Sequence, residues 1–458
     1  MSWPTGLGRL IPLRGREATP VLLATTYAFL ILTAHYMLRP VRDEISAADR
    51  GNLQVLWTAV FVVMLVAVPL YSFAVARLSR AVFIPLANRF FALNLLLFFV
   101  ALYTLPPAAR PWIDRAFYVW QSVFALFVVT VFWGFIADLF RNEQSKRLFG
   151  LIAIGASVGG ITGSFITALL AEHVPVFALL LLAIIPLEIA SQIAQWLHRL
   201  SAKHPETLRQ EAQQRIGGTA WAGYRTVFQS PYLRKIALYL GLLTFASTVL
   251  YFQQAHLLGE AIADRAERTA FLAKIDLAVN VITITTQGLI TAHIIRKWGL
   301  AIALAMIPAV VMLGFVSLGV YPLLATLVVV QVIYRAGRYA IAKPAREVLF
   351  TVVPREDRYK AKSFIDAAVY RGGDLASGWI YAGLAALGMT VGSIALVAAP
   401  VAAVWVGMGI MLGRDEARQR ERGGDDDVHP PDGVKADGLA AAGAARSGDP
   451  PVQEAERE

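Results

Sequence analysis

The sequence predicts an all-α membrane protein, with twelve transmembrane helices in two six-helix halves, and three observations carry that expectation. The 458 residues are 57% hydrophobic and only 16% charged, with a mean hydropathy of +0.56, whereas an average soluble domain carries about a quarter charged residues. Twelve apolar runs, each near the ~20 residues a crossing needs, are separated by turn residues or charge. A long polar stretch interrupts the series after the sixth run.

Taken in order, residues 1–19 form an amino-terminal cytoplasmic segment with Arg9, Arg14 and Arg16. The first apolar run, 20–38, follows these cations as a signal peptide would. No small-x-small cleavage site precedes Arg39, so it reads as an uncleaved first span. Runs at 53–76, 82–104, 117–140, 148–171 and 174–196 complete a first half over 20–196. A basic cytoplasmic linker follows, 197–235. Runs at 236–258, 270–294, 299–321, 323–342, 364–387 and 391–412 make a second half over 236–412. The remaining 413–458, rich in Gly, Pro, Asp and Ala, is too polar to bury a core and is expected to be a disordered cytoplasmic tail.

Charge sets the orientation. With the amino terminus inside, the cytoplasmic segments, with the tail counted only through Arg422, hold 27 Lys and Arg and the opposite loops 7, which places both termini in the cytoplasm and the protein in the inner membrane. This asymmetry accounts for the net charge of +10 without nucleic acid. Six spans, a basic connector and six more is the plan of the major facilitator fold, whose halves are parallel repeats about an axis along the membrane normal. A shift of 214 residues supports the repeat: it superposes Glu143 on Asp357, Lys146 on Lys360 and Gly159 on Gly373.

Several functions are excluded. The absence of cysteine removes disulfides, thiolate metal sites and Cys nucleophiles, and no HExxH is present. No GxxxxGK[ST] loop exists with which to use ATP as fuel. The expectation is therefore a non-enzyme with no cofactor and no metal.

The informative residues are charges inside apolar runs, since one at a helix centre costs about 2.5–3.5 kcal/mol on insertion scales. They include Arg89, Asp138, Glu188, Lys274, Asp276, Arg335, Arg338, Asp366, Arg371 and Asp374. Asp138, Lys274 and Asp276 lie near span ends, where snorkelling or interface pairing suffices. Arg335 and Arg338 lie at least twelve residues into their run and share a helical face. They make either a fork for phosphate or carboxylate, or ion pairs with Asp366 or Asp374 on the next helix. On that helix Asp366, Tyr370, Gly373, Asp374 and Ser377 fall in one arc, with Arg371 three residues before Asp374. Asp276, Asn280, Thr283 and Gln287 repeat the polar stripe in the eighth span, facing either a transport path or another helix. Gly155, Gly159 and Gly163 make a close-packing stripe in the fifth. At the end of the first span Arg39, Arg42 and Asp43 share a face. They enter the cavity if the helix starts well before Pro20, and otherwise form a charged rim. His35, one turn earlier, is either a proton acceptor or satisfied by neighbouring polar groups.

At these motifs the chain resembles the ATP/ADP translocase type of nucleotide transporter, the family of plastids and intracellular bacteria. The matching pieces are Tyr36-Met-Leu-Arg39-Pro-Val-Arg42-Asp43, Trp133-Gly-Phe-Ile-Ala-Asp138 leading to Glu143-Gln-Ser-Lys146-Arg147, and Lys343-Pro-Ala-Arg346-Glu347. They continue with Tyr359-Lys-Ala-Lys362-Ser-Phe-Ile-Asp366 and Tyr370-Arg371-Gly-Gly-Asp374. Where such exchangers typically carry lysine at the end of the first-span motif and Lys-Arg-Phe-Tyr after the fourth span, this chain has Arg42 and Lys146-Arg147-Leu148-Phe149. The resemblance implies an alternating-access secondary carrier, a monomer in the lipid bilayer, exchanging a small anionic solute such as ATP or ADP. Arg39, Arg42, Arg335 and Arg338 are the expected anion contacts, and Asp276, Asp366, Arg371 and Asp374 the balancing or gating charges. Glu143, Lys146, Arg147, Lys360 and Lys362 are expected in cytoplasmic gate loops. Two rivals remain at this point. One is a proton-coupled facilitator in which Glu188, Asp366 or His35 titrates; the other is a non-transporting scaffold or sensor that binds a partner through its tail or linker.

Overall fold

The computed structural model describes residues 18–140, 142–201 and 220–426, and among these every regular element is helical. The first six crossings are α1 (Ala18–Ala48), α2 (Leu53–Arg77), α3 (Arg80–Thr104), α4 (Arg110–Leu139), α5 (Asn142–Leu170) and α6 (Ala178–Ser201). A ten-residue linker helix, α7 (Ala220–Gln229), precedes α8 (Pro231–Ala261) and α9 (Arg265–Leu289). Next comes α10 (Thr291–Val320), broken at Gly299, whose φ of 78° suits only glycine. The tenth crossing is α11 (Leu324–Gly337), a π-turn over Arg338–Ala342 and α12 (Lys343–Leu349). The eleventh is α13 (Arg355–Phe364), a π-turn over Ile365–Val369 and α14 (Tyr370–Ala386). The last is α15 (Val391–Asp426).

Eleven of these helices are long and apolar enough to cross a membrane among the described residues. The α13–α14 crossing falls short because it carries the charges the sequence points to.

Among the boundaries that depart from expectation, three change where charges lie. First, α1 runs ten residues beyond 38 and holds Pro40 in its interior; its far end, not its start, brings Arg39 and Arg42 inside. Second, α9 starts at Arg265 rather than near 270, because Asp264 caps it by accepting a hydrogen bond from the Glu267 amide. Asp276 is therefore eleven residues deep and 2% exposed, not an interface residue. Third, the first part of the expected tail is helix, since α15 continues to Asp426. Its charged stretch is anchored where Lys235 donates to Asp415 at 2.6 Å and Glu416 is buried. Residues 427–458, 1–17 and 202–219 lie outside the described residues.

The halves are assembled from close backbone contacts. A Cβ on Gly155, Gly159 or Gly163 would lie 2.4, 2.2 or 2.4 Å from the carbonyl oxygens of Thr25, Phe29 and Thr33. Helices α1 and α5 therefore run parallel in register, with no room for a side chain between them. In the second half a Cβ on Gly373 would meet Thr244 Oγ1 of α8 at 2.4 Å. Gly159 and Gly373, the pair that the 214-residue shift superposes, thus both seat an inner helix of one half on the first helix of that half. Between halves, α1 and α5 pack on α9, and α2 on α14. The side chain of Asn280 on α9 comes within 3.3 Å of where a Cβ on Gly160 would stand.

Candidate functional site

The site begins with the charges that α1 carries into the protein. Arg39 Nε lies 3.5 Å from Asp43 and 3.7 Å from Asp276 of α9. Arg42 Nε lies 3.2 Å from Asp43, and its Nη2 donates to the Tyr251 hydroxyl at 3.0 Å. That hydroxyl donates to Asp43 Oδ1 at 3.0 Å, and the Tyr118 ring lies 4.9 Å beneath the Arg42 guanidinium. Asp276 Oδ1 accepts from Arg335 Nη2 of α11. A chain of alternating charge, Arg335–Asp276–Arg39–Asp43–Arg42, therefore crosses from one half to the other. Each of its carboxylates is held between cations, as burial of charge requires.

This corrects the expected partner of Arg335, which is Asp276 on α9 rather than Asp366 or Asp374. Sequence spacing could not show it, because the two helices meet only in the fold. Arg338 is different. It donates to the hydroxyls of Ser247 (3.2 Å) and Tyr334 (3.5 Å) and makes no ion pair among the described residues. It stands where the π-turn begins, and such turns widen the helix and recur at functional sites.

Two cavities meet at Arg338 and Tyr339. The smaller, about 80 Å³, touches Arg39, Asp43, Gln331, Arg335 and Arg338, so guanidiniums from both halves face it. The larger, about 370 Å³, extends from there toward the side of the termini, between α8, α12 and α14. Arg338, Lys343, Arg346 and Arg371 supply its four cations and Asp366 and Asp374 its two carboxylates, so the wall is net positive. Tyr239, Tyr339 and Tyr370 add ring surface. Arg346 donates to Tyr370 at 2.7 Å and to Glu347 at 3.1 Å, whereas Lys343 and Arg371 make no ion pair among the described residues.

Lys343 and Arg346 are site residues that the reading of charges in spans missed, because it ended the tenth span at 342. The signal was present in Lys343-Pro-Ala-Arg346-Glu347. The π-turn carries the helix on through it, with Pro344 tolerated in the first turn of α12. A further cavity of about 1120 Å³ between α2, α3 and α4 is lined almost wholly by apolar side chains, with Arg115, which pairs with Asp49, as its one cation.

The other candidates have local partners. Lys362 pairs with Glu347, which also takes Arg346, so this loop cation ties α13 to α12. Lys360 is half-buried on α13. Glu143, Lys146 and Arg147 belong to the first turns of α5, and their side chains, like that of Asp138, lie outside the described residues. Arg89 and Glu188 pair with each other at 2.9 Å and are partly exposed, away from both cavities. His35 Nδ1 has no hydrogen-bond partner among the described residues.

The far side, where α1 ends and α9 begins, is bridged by ion pairs between the halves. Glu44 of α1, 1% exposed, takes Arg265 at 3.0 Å and Arg268 at 2.6 Å from α9. Arg265 also reaches Asp114 of α4 at 2.9 Å. At the loop after α1, Asp49 pairs with Arg115 at 2.7 Å. Burial pushes the Asp49 carboxyl up, but hydrogen bonds from Arg115 and Asn52 outweigh it and hold the group below the usual carboxylate range.

A family model described as TLC ATP/ADP transporter matches residues 107–414. The chain is 21% identical over 343 residues to ADP,ATP carrier protein 1 of Chlamydia pneumoniae, covering 65% of this chain and 66% of that one. It is 22% identical over 290 residues to the chloroplastic ADP,ATP carrier protein 2 of Arabidopsis thaliana, covering 56% and 46%. The chain thus spans about half to two-thirds of the length of these carriers. Among solved structures, the inward open conformation of the xylose transporter XylE from E. coli superposes with a TM-score of 0.55 at 14% identity, covering 93% of this chain and 99% of that one. A POT family transporter gives 0.61 at 11% identity, covering 86% and 96%. The nucleoside transporter NupG gives 0.55 at 11%, covering 87% and 98%. These similarities establish the major facilitator fold.

Proposed function

Because the chain belongs to the TLC ATP/ADP transporter family, we propose that it is an alternating-access secondary carrier that exchanges nucleotides or related phosphorylated anions across the inner membrane, with both termini cytoplasmic. The observation that carries this reading is the 370 Å³ cavity, in which Arg338, Lys343, Arg346 and Arg371 outnumber two carboxylates. A polyphosphate needs several cations in a wet cavity, and guanidiniums match its oxygens in pairs. Lys343 and Arg371, with no ion pair among the described residues, are cations available to an anion. Arg338 would hold the anion at the midplane, while Asp366 and Asp374 balance the wall when it is empty.

With the far side shut by the Glu44 pairs and the larger cavity extending toward the termini, the state described is the one that loads from the cytoplasm. Counterflow in proteoliposomes, run across nucleotides, sugar phosphates and dicarboxylates, tests the proposal. Accumulation of labelled ATP or ADP driven by internal nucleotide is expected, and uptake confined to dicarboxylates overturns it.

A further inference from the structure

Asp276 sits between two cations from opposite halves, and its two oxygens are held unequally. Oδ1 takes a hydrogen bond from Arg335, whereas Oδ2 has only Arg39 Nε at 3.7 Å and no hydrogen-bond partner among the described residues. Arg39 and Arg335 also face the 80 Å³ cavity, so an anion entering that cavity meets the same two guanidiniums. We infer that Asp276 is the resident anion of the empty carrier, held by Arg39 and Arg335 in place of a substrate phosphate, and that its replacement at Arg39 is what lets the halves part.

The inference rests on the anion-carrier reading above and adds the coupling rule. Parting α1 from α9 in the empty protein pulls Arg39 away from Asp276, leaving Asp276 with Arg335 alone and Arg39 with Asp43 alone, and thinning a buried charge network in this way is unfavourable. A polyphosphate brings oxygens enough for Arg338 and Arg335 and for Arg39 as well, so in the loaded protein Arg39 trades Asp276 for a phosphate oxygen as the halves part, while the Glu44 pairs on the far side break in either case. The contact that yields is the weaker one, Arg39 to Oδ2, while Arg335 keeps Asp276 within its own half. The carrier then turns over loaded in both directions, and exchange is obligatory. Asp276 is here a positioning residue: it acts through Arg39 and Arg335.

The test compares, in proteoliposomes preloaded with labelled ATP, efflux into buffer containing ATP with efflux into nucleotide-free buffer. The intact protein is expected to favour exchange by at least about tenfold, as a modest bias between two states provides. Asp276→Asn should bring the ratio close to one by speeding the nucleotide-free efflux, and Asp276→Glu should keep it high. An Asp276→Asn protein that exchanges with an unchanged ratio overturns the inference. If the intact protein moves no nucleotide, the nucleotide reading fails, and the ratio is read with whichever anion of the panel it does move. The chain has no cysteine, so spin labels at Ala48→Cys on α1 and Glu267→Cys on α9, both exposed, report the far side directly. In an otherwise intact protein, saturating levels of the transported anion should lengthen that distance; an unchanged distribution overturns the inference even if Asp276→Asn does not accumulate.

Discussion

Arg335 and Arg338 stand one helical turn apart with opposite demands on their surroundings. Arg335 is committed to a buried carboxylate, so Arg335→Gln leaves Asp276 with the longer Arg39 contact alone, a loss of up to about 3–5 kcal/mol, and a marked drop in melting temperature in detergent is expected. Among the described residues Arg338 is hydrogen-bonded only to hydroxyls. Arg338→Gln should keep normal insertion and melting yet lose nucleotide affinity by roughly 10- to 100-fold, the worth of one charge-assisted contact. Arg338→Lys should recover part of it, since an ammonium lacks the fork. Lys343→Gln, likewise without an ion-pair partner to strand, should raise the half-saturating concentration of substrate in uptake assays without loss of protein. The sequence made the identity of the special residues legible, because lipid rejects charge. It left the pairings open, because which carboxylate meets Arg335 depends on where α9 crosses α11, and no spacing along one helix encodes that crossing.

Helices were legible in number and blurred in length. Hydropathy ends where charge begins, so it cut α1 at Arg39, the tenth crossing before Lys343 and α15 at Gly413, although α1 and α15 continue through charges that find partners in the fold and the tenth crossing continues through Lys343, which lines the larger cavity. The two π-turns left no compositional trace; each inserts a single residue's worth of phase, which periodicity over a short span cannot resolve. Packing at this scale is testable through glycines of one helix. Gly159→Ala would put a Cβ 2.2 Å from the Phe29 carbonyl, and overpacking against backbone costs about 1–3 kcal/mol or more, so a sharp loss of folded protein in size-exclusion profiles is expected. Gly150→Ala on the same helix meets nothing within 4 Å and should be neutral or stabilise by about 0.5–1 kcal/mol. Truncation after Leu412 removes the Lys235–Asp415 anchor and should lower thermal stability, whereas truncation after Asp426 should leave transport rates unchanged.

For the molecule as a whole, the 6+6 plan was the most legible feature, since it needs only the count of apolar runs, the break after the sixth and the shift that pairs Gly159 with Gly373. Orientation rests on the same bookkeeping of Lys and Arg: a reporter fused after Asp426 should be active only in the cytoplasm, and periplasmic activity would reverse the topology. How the halves touch was not legible, and the place where they do has a mechanical consequence. Asn280 of α9 bears on Gly160 of α5, while α5 is locked to α1 by its glycines. At 1.5 Å per residue, Asn280 divides α9 into a lever with an arm of about 23 Å toward Arg265 and about 14 Å toward Leu289. If that contact is the fulcrum, one angle of rocking sweeps the Arg265 end through roughly two-thirds as much distance again as the other, and the mouth opposite the termini opens wider than the mouth beside them.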